Sequence, residues 1–170
     1  RQPGWCHHAQ LTLNGTAIPA EVGENGYLNL TRRWQPGDVL QLELTMESTF
    51  LTPHPRIDAL RGCVALQRGP LIYCFESHDQ PAGVDLDDVQ VRTDEPVAVT
   101  AVALFGGIEA ITVPGRMAQL VGAEPLYRRL DEAVAVDWQA VTLTAVPYFV
   151  WGNRGMHSMR VWLPQAKLRG

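Results

Sequence analysis

Wherever apolar residues recur along this chain, they recur at every second position and in short runs. The clearest run covers residues 39–46, where Leu40, Leu42, Leu44 and Met46 alternate with Gln41, Glu43 and Thr45. Successive side chains of a strand point to opposite faces of a sheet, so this run predicts a half-buried strand. Val141, Leu143 and Ala145 alternate in the same way with Thr142, Thr144 and Val146. After a break, Met159, Val161 and Leu163 alternate with Arg160 and Trp162. Shorter strands are predicted over 10–13, 16–21, 27–31, 63–66, 71–76, 89–91, 97–105, 108–113 and 117–121. No apolar stripe of helical period has useful length; only residues 127–136 could form a helix.

Turn residues punctuate these runs. Asn14-Gly15 suits the positive φ angles of a type I′ hairpin turn. Gly23-Glu24-Asn25-Gly26, Gln35-Pro36-Gly37-Asp38 and Arg68-Gly69-Pro70 supply further reversals. Many short strands with 15 Gly and 12 Pro predict an all-β fold. The polar stretch 77–83 divides it into two small antiparallel β-sandwich, jelly-roll-like domains, 1–82 and 83–170, with little or no helix. In the first domain, the expected core sets Leu40, Leu42, Leu44 and Met46 against Val64, Leu66, Leu71 and Tyr73.

Composition narrows the function. The chain has 170 residues, 46% of them hydrophobic, and a net charge of −4 without a basic block. Nucleic acid is therefore an unfit partner. No apolar run approaches the roughly 20 residues of a membrane span. The chain starts at Arg1 and reads as a piece of something longer. Three scattered cysteines, Cys6, Cys63 and Cys74, make no disulfide framework and favour a cytoplasmic compartment. A hairpin tip at Gly69-Pro70 would set Cys63 opposite Cys74, which leaves a bridge between them open.

Candidate chemistry is thin. Cys6-His7-His8 holds soft ligands, but three adjacent residues cannot easily close a tetrahedral metal site. Asp79, Asp85, Asp87 and Asp88 lack the spacing of a calcium loop and read as a solvated acidic loop. Asn14 and Asn29 each open a glycosylation sequon. No phosphate loop, serine elbow or zinc-protease motif is present. The most distinctive stretch follows Pro147: Tyr148, Phe149 and Trp151, then Gly152-Asn153-Arg154-Gly155. Asn153 and Arg154 can hold this aromatic corner against the sheet. On the rival reading, Tyr148, Trp151, Asn153 and Arg154 form a sugar subsite, with the indole as platform and the polar pair reading hydroxyls.

Several pieces carry a resemblance. Arg1 to Trp5 (RQPGW), Asn14-Gly15, Gly26-Tyr27, Arg33-Trp34, Gly37-Asp38, the run ALQRGPLIYCFE over 65–76 and the closing NRG with MRVW occur in this order. Together they resemble the C-terminal region of glycoside hydrolase family 127, the β-L-arabinofuranosidase-like group. The resemblance implies an (α/α)6 barrel ahead of this region, carrying a zinc-held cysteine nucleophile and catalytic glutamates. It also implies two β-sandwich domains here, one taking part in dimerisation. None of the catalytic motifs occurs in this chain, so no catalytic residue, metal ligand or cofactor is carried over. The expected role is a non-catalytic module that packs on its own catalytic barrel domain and supports a homodimer. The alternative is a carbohydrate-binding module using exposed tryptophans.

Overall fold

The computed structural model describes residues 1–19, 21–119, 127, 129, 131–132 and 136–166. They fall into two compact units, Arg1–Ser48 with Arg68–Pro70, and Thr49–Gln67 with Leu71–Gly170. All strand ladders are antiparallel, as the turn-rich alternating sequence predicts.

The first unit is built on strands β1 (Ala9–Leu13), β2 (Thr16–Ile18) and β3 (Leu40–Leu44), in the order β2-β1-β3. Asn14 and Gly15 take φ of 50° and 79°, the left-handed pair that a type I′ turn needs. The Asn14 side chain does more than turn the chain. Its Nδ2 donates to Asp38 Oδ1 at 2.9 Å, and its Oδ1 accepts from the Val39 amide at 2.8 Å. Asp38 Oδ2 accepts from the Gln35 amide. The Asn-Gly and Gly-Asp pieces are thus two halves of one lock. The bond from Asn14, then the Gln35 amide, holds the Asp38 carboxyl below its usual range. In the same unit, the Arg68 guanidinium donates to the Met46 carbonyl and the Gly69 amide to that of Glu47. Gly69 has φ of 54°, and a Cβ there would lie 2.8 Å from Met46 Cγ, so glycine is required twice over.

Here the structure corrects the expected core. Leu40 and Leu42, expected inside, are 44% and 43% exposed. Val64, Leu66 and Tyr73 are buried in a cluster drawn from the second unit's own strands, with Leu71 packed against it. Alternation shows which face of a strand is apolar; it does not show what covers that face.

The second unit is one sheet that closes on itself. Strand β4 (Ser48–Leu51) pairs with β5 (Cys63–Arg68). Beyond β6 (Leu71–Glu76) come β7 (Val89–Val91), β8 (Ala98–Val102), β9 (Ile108–Gln119) and β10 (Asp137–Pro147). The chain ends in β11 (Met159–Arg160) and β12 (Leu163–Pro164). The main path runs β12-β5-β6-β10-β9-β7. Its two ends meet where Val91 bridges Gln165 and the Ala166 amide donates to the Val91 carbonyl at 2.8 Å. Inside lie Val64, Leu66, Tyr73, Phe75, Val89, Val91, Ile111, Val113, Leu143, Ala145 and Leu163, at least one from each strand of the path. The buried Tyr73 hydroxyl is satisfied by the Glu109 carbonyl at 3.0 Å. Alternate residues of the same strands, Cys74, Ile108, Ala110 and Val146, form a second cluster with Val150 on the other face.

Two further expectations change. The run 159–163 is not one strand. Met159 pairs with Glu76, whereas Leu163 pairs with Val64, so the chain steps from β6 to β5 between them. That step turns Leu163 into the first cluster while Met159 and Val161 pack on the second. The division expected near residue 82 also falls elsewhere, because the compact units part at residue 48. Stretch 77–83 is polar but stitched in: Gln80 Nε2 donates to the Thr144 carbonyl, and Gln80 Oε1 accepts from the Thr144 amide. Cys63 and Cys74 are free thiols. Half of the helical candidate 127–136, and the end of strand 117–121, lie outside the described residues.

Candidate functional site

Pro147 has no amide hydrogen to continue a ladder, so β10 ends there and the chain enters a 3-10 turn, Tyr148–Val150. Val150 plugs into the second cluster, which leaves Tyr148, Phe149 and Trp151 outside at 45%, 59% and 44% exposure. The Tyr148 and Trp151 rings lie 5.8 Å apart and tilted by 33°. Gly152, at φ of 77°, takes the left-handed step of this corner. Asn153 turns its amide back, donating Nδ2 to the carbonyls of Val150 at 3.1 Å, Phe149 at 3.3 Å and Trp151 at 3.4 Å.

Arg154 reaches under this corner. Its Nη1 and Nη2 bond the two oxygens of Asp79, each at 2.6 Å, a bidentate fork that matches the planar carboxylate. Nη2 also donates to Glu76 Oε2. Glu76 ends β6 on the face shared with Cys74 and is 1% exposed, the single buried charged residue among those described. Its other oxygen faces the Gly152 amide at 3.4 Å. Asp79 sits on the 3-10 turn Ser77–Asp79, whose Ser77 amide is held by the Ser158 carbonyl. The guanidinium thus ties the end of β6, the following turn and the aromatic corner together. Its bonds to Asp79 first, then to Glu76, raise the Arg154 pKa above its ordinary value against the burial that opposes them. Next to it, the Cys74 thiol is pushed up to about 12, mainly by burial, then by the charges of Glu76 and Asp79.

Glycosidases need two carboxylates facing each other across the scissile bond. Glu76 and Asp79 face a shared arginine instead. Sequence reasoning missed this pairing by placing Asp79 in a solvated acidic loop, whereas its side chain is only 13% exposed. The signal was there for Glu76, which continues the inward parity of Cys74 along β6. Of the other acids of that loop, Asp85 and Asp87 are exposed: Asp87 pairs with Arg160 at the surface, and Asp85 Oδ1 accepts from the Asp87 amide at 2.9 Å. Cys6 is buried with its thiol directed at the His8 carbonyl. Among the described residues, no group of three His, Cys, Asp or Glu could hold a metal ion. The described residues therefore do not fit the zinc that the resemblance implies. Of the other tryptophans, Trp34 and Trp138 each have one face taken by a guanidinium, Arg32 at 5.2 Å and Arg116 at 4.2 Å. Asn14, the first sequon asparagine, already has both side-chain groups bonded in its turn.

Known proteins resemble this chain in sequence and fold. The profile of the glycoside hydrolase family 127 C-terminal domain matches residues 48–164, and that of the beta-L-arabinofuranosidase GH127 middle domain matches residues 1–46. A non-reducing end beta-L-arabinofuranosidase of Bifidobacterium longum subsp. longum is 36% identical over 169 residues, covering 95% of this chain and 25% of that protein. A solved glycoside hydrolase superposes with a TM-score of 0.85 at 33% identity, over 98% of this chain and 27% of its own. A GH127 beta-L-arabinofuranosidase from Geobacillus stearothermophilus T6 gives 0.84 at 32% identity, over 96% of this chain and 25% of its own. The chain thus spans about a quarter of the length of these relatives.

Proposed function

Because the chain belongs to glycoside hydrolase family 127, we propose that it is the non-catalytic β portion of a β-L-arabinofuranosidase-type enzyme, packing on the catalytic barrel and supporting a homodimer. The observation that carries this reading is the Arg154 clamp. The buried carboxylate Glu76 and its neighbour Asp79 are both committed to one guanidinium, and neither is placed to protonate or attack a glycosidic bond. On this reading, the zinc implied by the resemblance belongs to residues outside this chain. The isolated chain, offered an aryl β-L-arabinofuranoside, should show no turnover. Turnover that disappears on Glu76→Gln or Asp79→Asn would overturn the proposal.

A second reading is favoured by one observation, the exposure of the Tyr148 and Trp151 rings. Such rings can stack on sugar faces. Against it, Asn153 Nδ2 and Arg154 Nη1 and Nη2, groups that would read hydroxyls, already bond main chain and carboxylates. The tilted rings also offer no single flat platform.

A further inference from the structure

The 3-10 turn Tyr148–Val150 has a period of three residues, and that period sorts its side chains. Val150 points into the second cluster and is 1% exposed. Tyr148 and Trp151, three residues apart, share a flank, which sets their rings 5.8 Å from each other. Phe149 leaves the turn on another side and is the most exposed of the three. The backbone behind the rings is fixed by the Asn153 amide and the Arg154 fork. The rings are therefore held out in advance, and a preorganised surface loses less on making a contact. The charges beneath are committed to one another, with the side chains of Arg154, Glu76 and Asp79 no more than 15% exposed. What the turn itself presents is aromatic. Exposed rings of Tyr, Trp and Phe are the residue types that fill the centre of protein contacts.

We propose that the Tyr148–Trp151 corner docks on an apolar, uncharged surface of the remainder of the same, longer polypeptide. This rests on the packing role proposed above and names the surface that performs it. Three observations select this occupant. The relatives that align with 95–98% of this chain devote only 25–27% of their length to it, so most of each protein lies outside the matched part. The turn carries no charged side chain, which disfavours an acidic or basic partner. The third is area. A fully covered ring buries about 150–250 Å², so three rings near half exposure offer about 200–400 Å². A free-standing complex takes about 800 Å² from each partner, so a second copy seated on this corner alone would not hold. Covalent linkage supplies a high effective concentration and lets a smaller contact persist.

The test is photo-crosslinking of the longer protein with a benzophenone amino acid in place of Phe149, the joined peptides being identified by mass. The expected result is a cross-link within one molecule to a residue outside 1–170, in the same yield at every protein concentration. A cross-link confined to residues 1–170 would overturn the proposal, because this chain would then cover its own corner. A cross-link between molecules that vanishes on dilution would assign the corner to a second copy and overturn it too. So would the absence of any cross-link. Hydroxyl-radical footprinting of the unaltered longer protein reads the corner without a variant, each ring being compared with its own rate in the urea-unfolded protein. The exposure of Tyr148 and Trp151 in this chain alone would slow them about twofold, whereas rings in a close-packed contact should slow about tenfold. If they slow only as their exposure here predicts, while other exposed residues of 1–170 prove covered, the packing role stands and this surface is wrong. If every exposed residue of 1–170 stays as reactive as its exposure predicts, the packing role itself fails.

Discussion

Arg154 and Glu76 set the energetics of the corner. Removing one member of a buried ion pair leaves the other charge desolvated and unpaired, at a cost of about 3–5 kcal/mol. Arg154→Ala should therefore lower stability by that order, read as a fall in the denaturation midpoint. Adding Glu76→Gln to that variant should recover part of the loss, because the stranded charge is then gone. A single variant as stable as the wild type would remove the clamp from the account. Cys74 gives a separate readout. Its thiol is pushed up to about 12 from an ordinary value of 9.0. The unfolded chain ionises first as pH rises, so the thiol's contribution is complete below about pH 9 and is lost progressively toward pH 12. Unfolding midpoints measured across that window should fall less steeply for Cys74→Ala than for the wild type. Parallel slopes would contradict the assignment. Arg154 was legible in the sequence as a group that could hold the corner against the sheet; its partners, 75 and 78 residues away, were not.

At the level of strands, the sequence revealed alternation and little about cover. The alternation of β10 read correctly: Leu143 and Ala145 enter the first cluster and Val146 the second. That of β3 also identified its apolar face, but the burial assigned to that face was wrong. The run 159–163 failed differently, because a strand that changes partner midway keeps its composition and loses its parity. These differences fix opposite outcomes for the same substitution. Leu143→Ala, at 0% exposure, should cost about 2–5 kcal/mol in this chain. Leu42→Ala, at 43% exposure, should stay within about 1 kcal/mol. Equal costs for the two in this chain would reverse the assignment of the β3 face.

For the whole chain, the all-β class and the family resemblance were legible, because turn chemistry and short ordered motifs are local. Asn14-Gly15 and Gly37-Asp38 even prove to be partners in one lock. Closure of the second sheet through Val91 and Gln165 was not legible, because a bridge between residues 74 apart leaves no periodic trace. The division at residue 48 escaped for a related reason: stretch 77–83 looks like a linker by composition, while its anchoring by Gln80 is long-range. The account's central claim is that this chain contributes structure and not sugar contact. The melting temperature of the chain, recorded with and without a β-L-arabinofuranoside at millimolar concentration, tests that claim most directly. A ligand that binds only the folded state at a hundredfold excess over its Kd would stabilise it by about 2.7 kcal/mol. The account predicts an unmoved melting temperature; a rise that is abolished by Trp151→Ala would contradict it.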